Sequence, residues 1–312
     1  MTTKPFKTIP ELIEIMESRG IHTDDETPFI LMSESYYAVI NGYKTPFLDR
    51  SAMQSSSSDV FLPSTSFSDI YNLFCFDREL RQITFGALVK AEAILKTATV
   101  YAFSNANREQ DFYLESSNYA KANDMLVPNS YRGDKTAKAR LYQKNIRRLL
   151  GVLNNKLSDT SERPFIRHYL RNHGHVPLWV LSNDLTFGNM AHMFQLLPRR
   201  IQVEVCKTVS AIHAHEGVSI RFNPEDILAA YSALVGFRNI CAHDERLYCA
   251  TIGQSNQYNY QSMYEKLKAM LPPAAFRHYI EEMARLLRAY SGKFGIANST
   301  GIFSSLGFPG HE

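Results

Sequence analysis

The 312-residue chain has only four cysteines and one tryptophan, and no apolar run approaching the roughly 18 residues of a membrane span. None of Cys75, Cys206, Cys241 and Cys249 forms a C-x-x-C pair, which argues against a zinc ribbon or a disulfide framework. Reduced thiols in a cytoplasmic protein are expected. The N-terminal stretch carries acids and lacks the apolar core of a secretory signal. Strand-type alternation and internal repeats are also missing. Neither sign of charge dominates: the net charge of +3 is too small to name a partner, although its distribution is uneven. Hydrophobic residues at 45% and charged residues at 21% are ordinary for a folded chain and argue against disorder.

What is present is helical periodicity. Pro10 to Glu17 reads as a short amphipathic helix stopped by Gly20. Tyr36 to Tyr43 is aromatic and ends near Pro46, and residues 51–58 form a Ser-rich loop. From Ser68, apolar residues from Ile70 to Leu95 recur at three- and four-residue steps, giving one long helix with a possible kink at Gly86. Residues 105–128 are polar and mixed. A second helix spans about Thr136 to Leu157. Pro177 opens what reads as a buried helix, a turn at Phe187-Gly188 and a further helix; Arg199 to Ser210 is another. Asn223-Pro224-Glu225-Asp226 is a strong helix start, because Asn caps, Pro suits the first turn and acids face the positive dipole end. That helix is expected to cover about 223–243, and a last one Pro273 to Tyr290. The fold class is all-α, and the chain reads as a single domain over 1–312.

The segment that carries chemistry is Phe237-Arg238-Asn239-Ile240-Cys241-Ala242-His243. At 100° per residue, Ile227, Tyr231, Leu234 and Arg238 share one stripe, so Arg238 continues a buried face and needs an anion there. Asn239 and His243 are four apart, hence neighbours on the adjoining edge. A cation beside an imidazole and an amide suits a phosphodiester. The bland alternative is an internal salt bridge with a His capping the helix end. Arg163 and His168 repeat the five-residue spacing, but with Pro164 between them and no polar second residue.

The second helix lies in a basic segment. Residues 132–171 hold eleven basic and three acidic residues, a local charge of +8. Arg140, Lys144, Arg147 and Arg148 form a stripe on its polar side and are candidates for RNA phosphate contacts. The segment is a candidate subdomain. Tyr131 and Tyr142 fit base stacking or core packing. Glu34, Asp77 and Asp244 read as caps or ion-pair partners rather than catalytic acids. His173 and His175 read as a solvated loop, since no further ligands cluster with them. No metal or other cofactor is expected.

The R-N-x-x-x-H pattern resembles the signature of the HEPN superfamily of ribonucleases, and the wider chain resembles the Abi-like family of abortive-infection proteins (AbiD and AbiF). Lys4-Pro5, Arg19-Gly20 and Tyr36-Tyr37 with Asn41-Gly42-Tyr43 are similar to its N-terminal pattern. Phe76 to Arg81 (FDRELR), Val176 to Gly188 and Arg238 to Leu247 (RNICAHDERL) resemble its later blocks, in the same order. The resemblance implies a HEPN-like helical bundle with additional helices and a metal-independent endoribonuclease acting in phage defence or as a toxin. Arg238, Asn239 and His243 would be catalytic, with Glu92, Lys96 and Arg246 in support. Products would be a 2′,3′-cyclic phosphate and a 5′-OH. A homodimer with facing motifs is expected, restrained by a small RNA or a protein antitoxin. The alternative of the same fold is a non-catalytic RNA-binding protein. One departure stands out: where the family tends to place Glu and Arg four apart on the early long helix, this chain has Glu92 and Lys96, and Lys lacks the bidentate fork. Glu92 is the candidate carboxylate for Arg238.

Overall fold

The computed structural model describes residues 5–55, 58–127, 134–157, 163–295, 297 and 299–306. Lys4, Arg132, Tyr131, Asp159 and Glu162, and the tip of the Ser-rich loop, lie outside the described residues. Among the described residues the chain is helical, and its β-type pairings are isolated bridges such as Leu48 with Phe61 and Ile252 with Tyr258. No helix is long and apolar enough to cross a membrane.

The scaffold is one long helix. After α1 (Ile9–Ser18) and α2 (Thr27–Ser33), α3 runs unbroken over Phe67–Ala106. It begins at Ser66, whose hydroxyl accepts from Asp69 N–H while the Asp69 carboxylate accepts from the Ser66 N–H. At 1.5 Å per residue its 40 residues span roughly 60 Å. Such a helix buries residues all along its length, from Phe67, Leu73 and Phe76 through Leu88 and Leu95 to Phe103. Past α5 (Pro164–His173), the short turn α6 (Leu178–Leu181) and the longer helices pack on it. The longer ones are α7 (Phe187–Leu196), α8 (Arg199–His215), α9 (Pro224–Ala242), α10 (Tyr260–Met270) and α11 (Pro273–Tyr290).

Helix α9 is packed against α3, α7, α8 and α10, so its apolar stripe is enclosed. Ile227, Ala230, Tyr231, Leu234 and Phe237 have no exposed surface. Tyr231 lies 3.0 Å from Thr99 of α3, a hydroxyl pair that registers the two helices. Gly236 lets Ile252 lie directly against the α9 backbone, where a Cβ would overlap the Ile252 side chain. Helix α4 (Lys135–Lys156) packs on α7, where Asn145 donates to Gln195 at 3.0 Å in a buried contact.

Four expectations change. Phe187-Gly188 is not a turn: Thr186 caps the helix there, accepting from Asn189 N–H, and both residues open α7. Pro177 does not open a continuous buried helix, because the turn α6 ends at Leu181 and Trp179 within it faces out. Gly86 does not interrupt α3, and the helix continues well past Leu95. Pro273 to Tyr290 is not last; α10 precedes it and α12 (Ser299–Ser305) follows.

Candidate functional site

The motif lies at the C-terminal end of α9. Asn223 starts that helix as read from sequence, accepting from Asp226 N–H at 3.0 Å while Asp226 accepts from the Asn223 N–H. The helix ends at Ala242, and His243 is its cap, with its N–H donated to the Asn239 carbonyl at 3.0 Å. Asp244 then takes a left-handed conformation at φ 56°, which turns the chain away.

Arg238 is less buried than helix geometry predicts. Its side chain is 33% exposed, because the stripe leaves the core at the helix end. Its Nε donates to Glu92 Oε2 at 3.2 Å, so the expected carboxylate partner is met, and its guanidinium lies 5.8 Å from the Phe85 ring. Lys96, one turn along α3, lies 3.6 Å from the other Glu92 oxygen and donates to the Leu185 carbonyl at 2.9 Å. Lys96 thus ties the α6–α7 connection to α3, a task for which a bidentate fork is unnecessary. Asn239 and His243 are exposed.

A second assembly holds the segment behind the motif. Asp77 of α3 is fully buried and accepts from four groups: Tyr43 Oη at 2.7 Å, Arg81 at 2.6 Å, Tyr248 N–H at 2.7 Å and Leu247 N–H at 3.1 Å. Arg81 also reaches Asp244. Burial pushes the Asp77 carboxyl above its usual range, against the pull of Arg81 and the hydrogen bonds. Burial, then the Asp77 charge, pushes the Tyr43 phenol up. Arg246 donates to the Gly42 carbonyl at 2.7 Å and so fixes the N-terminal region rather than facing the groove at Arg238. Asp77, Asp244 and Glu34, the last paired with Arg78 at 2.7 Å, are ion-pair partners, as the sequence reading had them. Sequence reasoning does not reach this network, because FDRELR shows no partner locally and its backbone partners lie about 170 residues away.

Residues 29–249, more than two thirds of the chain, match the model of a family described as Abi-like protein. The chain belongs to the Abi-like protein family. The match takes in Tyr36 to Tyr43, FDRELR, the Val176 to Gly188 block and RNICAHDERL, while Arg19-Gly20 precedes it. The buried network thus joins three of the four matched blocks: Tyr43, Asp77 with Arg81, and Asp244 to Tyr248. No curated protein and no solved structure matches the chain.

The Abi-like chain brings Arg238, Glu92 and Lys96 together at a groove of about 630 Å³ that runs along α3. Neither Asn239 nor His243 lines that groove; they stand beyond it at the helix end. The basic stripe is separate again. Arg140, Lys144, Arg147 and Arg148 are exposed on α4, and the last of these with Lys144 faces His192 of α7. Burial, reinforced by Arg148 and Lys144, holds the His192 imidazole below its ordinary range. Lys156 and Arg163 both pair with Asp184, at 2.7 and 2.6 Å, next to the groove wall at Asn183. Among the described residues no cluster of three His, Cys, Asp or Glu has metal-binding geometry.

Proposed function

We propose that this Abi-like protein is a metal-independent endoribonuclease of HEPN type, acting as an abortive-infection or toxin effector. The observation that carries the reading is the exposure of His243 and Asn239 at the end of a helix anchored on four others, one turn from a partly buried Arg238 held by Glu92. RNA carries its own nucleophile. His243 takes the 2′-OH proton, and the 2′-oxygen bonds to phosphorus as the P–O5′ bond breaks. The 5′-oxygen leaves with a proton, giving a 2′,3′-cyclic phosphate and a 5′-OH. Arg238 supports the crowded phosphorane charge through its planar donors, and Asn239 orients His243 or a non-bridging oxygen.

A base and an acid are both needed, and one chain offers one good histidine. A homodimer with two facing motifs would supply both roles, and a two-fold interface is the commonest way for identical chains to associate. Restraint of the effector by a small RNA or protein antitoxin belongs to the same reading. The Glu92 ion pair favours one alternative, a non-catalytic RNA-binding protein in which Arg238 is structural. Purified protein incubated with total RNA and EDTA, beside His243→Ala, separates them. Cleavage by the parent in EDTA and none by the variant is expected. Equal cleavage by both, or arrest by EDTA, would overturn the mechanism.

A further inference from the structure

The turn α6 has four residues, and three of them are core: Leu178 and Leu181 have no exposed surface and Val180 almost none. The fourth, Trp179, is 60% exposed. Facing the same space from α3 is Tyr101, 64% exposed. An exposed Trp beside an exposed Tyr is a costly arrangement for a surface without a ligand, since large apolar side chains bury when they can. Both residues, with Ser104, line two adjoining grooves: the one ending at Arg238, and a second of about 470 Å³ toward Arg108 and His175. The two rings therefore stand at the junction of a continuous channel. The backbone at Trp179 is fixed, its carbonyl accepting from Ser182 Oγ at 3.1 Å and from Asn183 Nδ2 at 3.2 Å. The Ser104 hydroxyl at this junction is buried and has no hydrogen-bond partner.

We infer that Trp179 and Tyr101 form a platform on which unpaired nucleobases of a single-stranded RNA stack, while its backbone runs past Lys96 to Arg238. The inference rests on the ribonuclease reading for the choice of strand. Charge decides the direction. The groove toward α9 carries Arg238 and Lys96 against one carboxylate, Glu92, which both already neutralise. The other groove carries Glu109 and Asp111 against one guanidinium, Arg108, so its balance is acidic where that of the Arg238 side is basic. The bases therefore sit at the junction and the phosphates on the Arg238 side. Tyr101 is nine residues from Glu92 along α3, an axial distance of roughly 13 Å. That corresponds to roughly four stacked nucleotides at about 3.4 Å each, or fewer in an extended strand. Bases of a duplex are stacked on one another and cannot reach such a platform, so single strands are selected.

Trp179 is the only tryptophan, so its fluorescence reports this site alone. Full-length protein is titrated with a 2′-deoxy single-stranded oligomer of about ten nucleotides, which cannot be cleaved, and with the blunt duplex of the same sequence. The single strand is expected to quench the emission and the duplex to leave it unchanged. Trp179→Ala and Tyr101→Ala, assayed by anisotropy of labelled oligomer, should each weaken binding by about ten-fold or more, and Trp179→Phe by much less. Both sites are exposed, so the variants fold. Failure of the platform and failure of the chemistry read differently. Stacking without RNA cleavage leaves the platform standing. Unquenched emission at saturation, or parental affinity in Trp179→Ala, overturns it even if RNA is cut. A channel that binds no oligomer at all, single or double, also overturns it and returns the rings to protein docking.

Discussion

Substituting Asp77 by Asn tests whether the buried network holds the motif in place. Asparagine keeps the shape but removes the charge and turns an amide donor toward groups that all donate to Asp77: Arg81, the N–H groups of Leu247 and Tyr248, and Tyr43, whose hydroxyl also accepts from Arg81. Breaking a buried ion pair by removing one partner costs about 3–5 kcal/mol. Each orphaned N–H adds about 1–3 kcal/mol, but these overlap with the first loss, so a net cost of about 4 kcal/mol is expected. Asp244 offsets little of it, since its side chain is mostly exposed. At roughly 2–4 °C per kcal/mol for large domains, Tm should fall by about 10 °C. Urea and thermal denaturation followed by helical circular dichroism measure this. The double variant Asp77→Leu with Arg81→Met removes both charges, so it should recover part of the loss. It should not recover all of it, because Leu247 and Tyr248 still lack an acceptor. A loss below about 1 kcal/mol in Asp77→Asn, or a double variant as stable as the parent, would refute the reasoning.

Reversing Arg140, Lys144, Arg147 and Arg148 to Glu should weaken RNA binding and lower the slope of log K against log salt by up to about 3; an unchanged slope would assign the stripe to solvent alone. Burial, then Arg148 and Lys144, disfavour the charged form of His192, so its folded pKa lies below its unfolded value. Its contribution to stability is present above the unfolded value near pH 6.5 and is lost as pH falls below it, so His192→Gln should flatten acid-side stability in urea titrations at stepped pH. Mixed Arg238→Ala and His243→Ala proteins should regain some RNA cleavage after subunit exchange if the dimer shares its site. Full activity from a strictly monomeric protein in dilute solution would sink the dimer.

Local rules carried much of this protein. Periodicity gave α3, α4, α9 and α11, because an amphipathic stripe is written at fixed spacing and needs no knowledge of the partner. The Asn223 cap was legible because its hydrogen bonds close within three residues. Even the Arg238–Glu92 pair is legible, since a guanidinium on an apolar stripe demands a carboxylate and the family resemblance points to which. Tertiary structure decided the rest. Whether Trp179 is core or surface depends on what α6 lies against, and three of its four residues are buried while it is not. The Asp77 network joins residues from three distant blocks, and no local spacing encodes a contact made across 170 residues. Nor does sequence tell how far α9 runs before its stripe leaves the core: that exit leaves Arg238 a third exposed and His243 exposed at the end of a helix whose earlier turns are enclosed.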